Sequence, residues 1–396
     1  MFLEKEGKLI YSYDGETVCI EAWGKDALRV RATKNRSFTG RDWALEAKDA
    51  HAGEVEIFED PSAKGGAFAN MYEGTDTSYG KITNGKLHAV IDSGSVITFY
   101  HEDGRVLLKE HFRRLRDEES MPLNIMGREY SNGVGDNFRI VARFVARKGE
   151  KIFGMGQYQQ HELDLKGCML ELAQRNSQVS VPFYLSSIGY GFLWNNPGVG
   201  QVMFANNGTE WVTESGKEID YLVIAGDTPA EIEENYMTLT GKPPMMPEYG
   251  MGFWQCKLRY WNQEQLLSVA RKYKELGVPL DVIVVDFFHW TKQGEFKFDP
   301  KYWPDVPGMC RELKEMGIQV VVSVWPTVDI YSENFEEMKE KGYLVRTEHG
   351  VPLTMLCGGN EVFFDATNPD ARTYVWEKIK KNYYDQGAKL FWLDVA

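Results

Sequence analysis

Asp281-Val282-Ile283-Val284-Val285-Asp286 sets four branched apolar residues in a row between two carboxylates. A strand with one wet face alternates apolar and polar residues, so a run without alternation fits a strand covered on both faces, as in a parallel sheet flanked by helices. The neighbouring segments agree. Upstream, Asn262 and Gln265 are spaced as N-cap and capping-box partner. An apolar stripe of Leu266, Val269, Ala270, Tyr273 and Leu276 follows, and Gly277 stops the helix. Gly250 to Gln255 reads as a preceding strand. Downstream, a helix from about Pro307 to Met316 ends at Gly317, and Gln319 to Trp325 is the next strand. Asn368 and Pro369 take the N-cap and first position of a helix running to Gly387, after which Lys389 to Asp394 forms a fourth strand. Helix, glycine, strand recurs at Gly277, Gly317 and Gly387, a weak repeat with right-handed strand–helix–strand logic. Four such strands make the first half of a (β/α)8 TIM barrel. A doubly wound nucleotide-binding sheet has the same alternation, but no Gly-rich loop joins any of these strands to its helix. Gly154-Met155-Gly156 precedes no helix and reads as a turn.

The first 240 residues have another period. Leu28, Val30 and Ala32 alternate with Arg29, Arg31 and Thr33, which predicts a strand with one wet face. Similar runs start at His88, Val96, Phe138, Val179, Tyr190 and Gln201, with Asn84-Gly85 and Asp103-Gly104 as turns. The expected organisation is a multi-domain chain, with a β-sandwich over 1–240. A short helix from Ala230 to Tyr236 and the stiff Gly241-Lys242-Pro243-Pro244 lead into the partial barrel over 241–396.

A net charge of −13 argues against nucleic acid and anionic membrane as partners. No stretch is long and apolar enough to span a bilayer. The start Met1-Phe2-Leu3-Glu4 has no signal-peptide core, so a cytoplasmic location is expected. Cys19, Cys168, Cys256, Cys310 and Cys357 are scattered, odd in number and never in a CxxC pair, which fits reduced thiols without disulfide or zinc. No metal or organic cofactor is expected. Aromatic residues make up 13% of the chain, enough both to fill cores and to supply platforms for sugars.

Polar and aromatic groups collect where the barrel-type strands end: Asp286, Phe287, Phe288 and His289 after the second, Trp325 on the third, Trp392 and Asp394 on the fourth. Barrel enzymes keep their chemistry at the carboxyl ends of the strands. Carboxylates that bind hydroxyls or attack an anomeric carbon, beside flat rings that stack on a sugar face, suit a carbohydrate. The plain alternative is that both aspartates are strand-end caps or ion-pair partners.

The order of these motifs resembles glycoside hydrolase family 31. The resemblance rests on Asp281 to Lys292, Phe296 to Asp305, Val324-Trp325-Pro326-Thr327, Phe364 to Pro369 and Trp392-Leu393-Asp394. Upstream, Gly154 to Gln160, Gln174-Arg175-Asn176-Ser177 and Tyr190 to Asn196 resemble that family's N-terminal β-sandwich. The resemblance implies a retaining exo-α-glycosidase acting on terminal α-linked xylose or glucose of an oligosaccharide. Asp394 then matches the nucleophile that forms a covalent glycosyl-enzyme. Asp286 matches the carboxylate that binds sugar hydroxyls, with Phe287, Phe288, Trp325 and Trp392 around the same sugar. Gln160 and His161 would reach over it from a sandwich loop, and His289 would stand behind the contact residues.

The family's general acid/base lies on a later strand, so the expectation is that these 396 residues hold the nucleophile without the proton donor. Asp286 does not fit that role, because a retaining pair needs carboxyl groups about 5–5.5 Å apart. The bulk of Phe287-Phe288 tilts the choice towards xylose. An α-glucosyltransferase, which uses the same intermediate, and a catalytically incomplete sugar-binding half-protein are the alternatives. The expected partner besides the oligosaccharide is a second copy or the remaining part of the same enzyme.

Overall fold

Strands alternate side chains across a sheet, and in the first 240 residues the apolar set of three antiparallel sheets meets in one core. A computed structural model describes residues 1–46, 49–59, 78–92, 94–111, 113–115, 123–347, 349–355 and 359–395. It divides into two units, Met1–Pro243 and Pro244–Ala396.

In the first unit, a nine-stranded sheet runs from Phe2–Lys5 to Ile152–Gln157, beside two five-stranded sheets built on Ser78–Asn84 and Phe138–Phe144. Leu9, Ile20 and Val30 of the first sheet share a buried cluster with Ile82, Phe99, Phe144 and Trp211 of the others. The sandwich expectation is borne out. Many of the aromatic residues are spent here, such as Trp194 stacked on Trp211 at 5.5 Å and Phe192 on Tyr221 at 5.2 Å.

Two local expectations fail. The strand Ala27–Thr33 has no wet face: Arg29 is fully buried, its Nε and Nη2 donating to both carboxylate oxygens of Asp220 at 3.0 and 2.7 Å. Pairing let a charged residue occupy a position that reads as solvent. Gly154 to Gly156 is no turn but an irregularity within the strand Ile152–Gln157, where pairing with Val179–Ser186 slips by two residues.

In the second unit, four parallel strands lie in chain order: Trp254–Gln255, Val282–Val285, Gln319–Val324 and Leu390–Leu393. Helices Gln263–Glu275, Val306–Glu315 and Pro369–Ile379 connect them. The Asn262 cap forms, with Gln265 N donating to Asn262 Oδ1 at 2.9 Å, but the Gln265 amide oxygen accepts from Trp261 N at 2.7 Å, one residue before the N–H that a capping box engages. This is the half barrel that was expected. The first strand is shorter than expected: Glu248–Met251 is a 3-10 turn, and Asp281 Oδ2 accepts from Phe253 N before pairing begins. Three further elements have no counterpart in the sequence reading. They are the antiparallel pair Thr327–Asp329 and Glu361–Phe363, the helix Phe335–Glu340, and a π-helical turn, Lys380–Tyr384, that ends the last helix.

Candidate active site

Register decides which side chains gather at the strand ends. Ile283, Val285, Val320, Val322 and Val324 pack with Leu266, Ala270, Met309 and Leu313, so they face the helices. Val282, Val284 and Val321 form a separate buried cluster, with Leu390 against it. Val284 pairs with Val321, Val321 with Leu390 and Ser323 with Trp392. Counting on by two along each strand from this inner cluster reaches Asp286, Trp325, Trp392 and Asp394. Asp394 N donates to Val324 O at 3.1 Å, so the ladder runs on to the carboxylate itself. Both acidic residues and both indoles thus belong to the inner face, at the carboxyl ends of three adjacent strands.

Asp286 and Asp394 sit on strands with one strand between them, a backbone separation of roughly 10 Å at the usual strand spacing. Asp286 Oδ1 accepts from Phe287 N at 2.8 Å, and Oδ2 lies 3.6 Å from Cys256 Sγ. Asp394 Oδ1 accepts from Val395 N at 2.9 Å. Among the described residues neither carboxylate has an ion-pair partner, which removes the salt-bridge alternative there. Both keep lone pairs free for a ligand.

The rings form a connected set. Phe287 is 5.0 Å from Trp325 and 4.5 Å from Phe288, and Trp290 is 6.3 Å from Trp325. Phe288 is half exposed and left-handed, with φ 63°, a conformation bulky residues rarely take. Trp392 is half exposed. Trp325 Nε1 and Ser323 Oγ on the inner face are buried without hydrogen-bond partners among the described residues. A hydroxyl-rich ligand could satisfy such groups.

His289 is buried. Its Nδ1 lies 2.9 Å from Asp286 O and its Nε2 2.8 Å from Tyr383 Oη. A carbonyl oxygen only accepts, so Nδ1 carries the proton and Nε2 accepts from the phenol. Burial lowers its pKa to about 4, so the ring is neutral. Its partner, Tyr383, was missed in the sequence because nothing local marks a π-helical turn. Gln160 and His161 lie in the first unit, after the strand Ile152–Gln157; His161 is exposed, and Gln160 is half-buried with Nε2 unpartnered among the described residues. Among the described residues no group of three or more His, Cys, Asp or Glu could hold a metal, and no helix is long and apolar enough to cross a membrane. Cys19, Cys168, Cys256 and Cys310 are free; Cys357 lies outside the described residues.

Residues 243–396 match the family model of the glycosyl hydrolases family 31 TIM-barrel domain, and residues 17–202 that of the family's N-terminal galactose mutarotase-like domain. The chain is similar over its whole length to a solved GH31 alpha-xylosidase from a soil metagenome complexed with xylose. They share 48% identity with a TM-score of 0.88, and the match covers 57% of that chain. It is 44% identical, across 100% of its length and 73% of the relative's, to an uncharacterized family 31 glucosidase of Pseudescherichia vulneris. Alpha-xylosidase A of Aspergillus niger is 31% identical over 96% of this chain and 52% of its own. This chain therefore spans about half to three quarters of the length of these relatives. Two domain models in succession, full-length similarity and strand-end carboxylates on one barrel face agree: the chain belongs to glycoside hydrolase family 31.

Proposed function

We propose that the protein is a retaining exo-α-glycosidase acting on terminal α-linked xylose, with Asp394 as nucleophile. The observation that carries this is the shared inner face of Asp286, Trp325, Trp392 and Asp394 at the carboxyl ends of adjacent strands. Asp394 attacks the anomeric carbon as the glycosidic oxygen is protonated and leaves, and water then releases the sugar from the ester. Asp286 accepts hydrogen bonds from the ring hydroxyls, Trp325 and Trp392 wall the sugar, and Phe287 narrows the space around it. Asp286 is not the proton donor: with a strand between it and Asp394 it stands beside the sugar, and the donor is sought in the part of the relatives' length beyond this chain.

The 44%-identical relative is named a glucosidase, which favours glucose as the second reading. The deciding experiment is hydrolysis of aryl α-xyloside and aryl α-glucoside by the full-length protein, with Asp394→Ala alongside. Turnover of the xyloside that is lost by orders of magnitude in the variant supports the proposal. Preference for the glucoside replaces the sugar but keeps the mechanism. A product carrying a sugar acceptor in place of water makes the enzyme a transferase, and binding without turnover makes it a sugar-binding protein.

A further inference from the structure

A cleft of about 430 Å³ lies within the barrel unit, where the third and fourth parallel strands begin beside the helix Val306–Glu315. Gln319 and Leu390, the first residues of those strands, line it. It therefore stands at the opposite strand ends from Trp325 and Asp394. Ligand pockets run from about 300 Å³ upwards. Three exposed cations surround it. Arg311 and Lys314 are three residues apart on one helix face, and Lys389 comes just before the fourth strand. Among the described residues none of the three has a carboxylate partner, and Lys389 rests 5.3 Å from the Tyr384 ring. Nearby acids are already taken. Lys380 Nζ donates to both Asp385 oxygens at 2.8 and 2.9 Å, and Arg271 Nε donates to Glu312 at 2.6 Å.

In a chain of net charge −13, three uncompensated cations around one cleft are a local excess. Lys314 stands in the last turn of its helix, where a cation offsets the negative end of the helix dipole. That accounts for neither Arg311, earlier on the helix, nor Lys389, on another segment. The backbone gives the cleft a fixed shape. Gly387 has φ 108°, and a Cβ there would stand 2.9 Å from Cys310 Cβ, so the segment leaving the π-helical turn closes directly on the helix. Such π-helical interruptions are frequent at functional sites. The lining between the two segments is apolar: Ile318 and Val320 are buried, and Cys310 is half-buried. Exposed Gln319 and Gln386 add amide donors and acceptors.

Charge and size together select the ligand. A carboxylate brings one negative charge and would leave two cations uncompensated. A phosphate monoester brings nearly two at neutral pH, on three oxygens that accept well from Arg and Lys. A polyanion such as nucleic acid is repelled by the chain as a whole. The cleft is larger than a phosphate group, and its apolar lining and two amides suit the ring and hydroxyls of a small sugar. We propose that this cleft binds a phosphorylated monosaccharide, with the phosphate held by Arg311, Lys314 and Lys389. The site shares no residue with the strand-end carboxylates and does not rest on the glycosidase reading.

The test is isothermal titration calorimetry of the full-length protein with glucose 6-phosphate, xylose 1-phosphate and inorganic phosphate. Saturable binding of at least one sugar phosphate is expected, tighter than that of inorganic phosphate and weakening as salt is added. Arg311→Gln and Lys389→Gln lie on separate segments at exposed positions, so that misfolding of one leaves the other informative. Each is expected to raise Kd for the sugar phosphate about tenfold or more, the size of a lost hydrogen bond between charged groups. Lys25→Gln, in the first unit, removes the same charge elsewhere and is expected to leave Kd unchanged. No saturable binding of either sugar phosphate overturns the proposal. So does binding that neither cleft variant weakens, which seats the ligand elsewhere, or that Lys25→Gln weakens as much, which reduces it to net charge. Inorganic phosphate binding as tightly as the esters overturns the sugar part.

Discussion

Tyr383 Oη lies 2.8 Å from His289 Nε2, and through that imidazole the π-helical turn before the last strand is tied to the backbone of Asp286. The contact joins the two segments that deliver the carboxylates: one follows Val282–Val285, and the other precedes Leu390–Leu393. Asp299 N also donates to His289 O at 2.8 Å, so the loop is held at both faces of the same residue.

The neutral state of His289 makes this joint sensitive to acid. An unfolded imidazole titrates near 6.5 and the folded one near 4, so between those values the unfolded chain holds the extra proton. Stability from this group is complete above about pH 6.5 and is lost as the pH falls towards 4, by at most about 3 kcal/mol. Denaturant unfolding at pH 7.5 and 5.0 checks this. His289→Gln is expected to start less stable and to lose less on acidification; equal losses in both proteins refute it.

The barrel strands were legible because burial on both faces removes alternation, as in Val282–Val285, and because glycines punctuate the helices. The site carboxylates were legible for the same reason: position at a strand end is a local property. Arg29 was misread because its partner, Asp220, comes from a distant strand, and a charge paired that way looks like a solvent residue in sequence. The pairing of Asp329 with Glu361 and the contact of His289 with Tyr383 are equally non-local. They depend on where loops return, which no short pattern encodes.

Arg29 is the strongest test of the sandwich core. Besides Asp220 it reaches Asp42 Oδ1 at 2.7 Å, and Asn195 Nδ2 donates to Asp220 Oδ2 at 2.8 Å. Arg29→Ala leaves the Asp220 carboxylate buried without a counter-charge, at a cost of about 3–5 kcal/mol. Arg29→Met with Asp220→Leu removes both charges and is expected to recover most of that loss. Equilibrium unfolding in urea measures both; a double variant as unstable as the single one contradicts the argument.

Cys256 reports on Asp286 without any substrate. It is exposed, yet desolvation and then the Asp286 charge push its thiol up to about 11. Only the thiolate is nucleophilic, so alkylation by iodoacetamide at pH 8 is expected to run about a hundredfold slower than for free cysteine. Asp286→Asn removes the charge and is expected to speed the reaction. Peptide mass spectrometry follows the site directly, and a rate unaffected by the variant separates the thiol from the carboxylate.

Gly156 tests the irregularity in the strand Ile152–Gln157. Its φ is 92°, and a Cβ there would stand 2.1 Å from Val179 O. That neighbour is backbone of the paired strand Val179–Ser186, so it cannot turn aside as a side chain would. Gly156→Ala therefore has to break the pairing or move the strand, and the backbone conformation alone costs about 1–3 kcal/mol. Gly167 has a similar φ, 95°, with nothing within 4 Å of the added atom, so Gly167→Ala isolates the conformational part. Thermal unfolding of the two variants is expected to place Gly156→Ala well below Gly167→Ala. Equal losses would mean that the close approach of Val179 contributes nothing beyond the backbone angle.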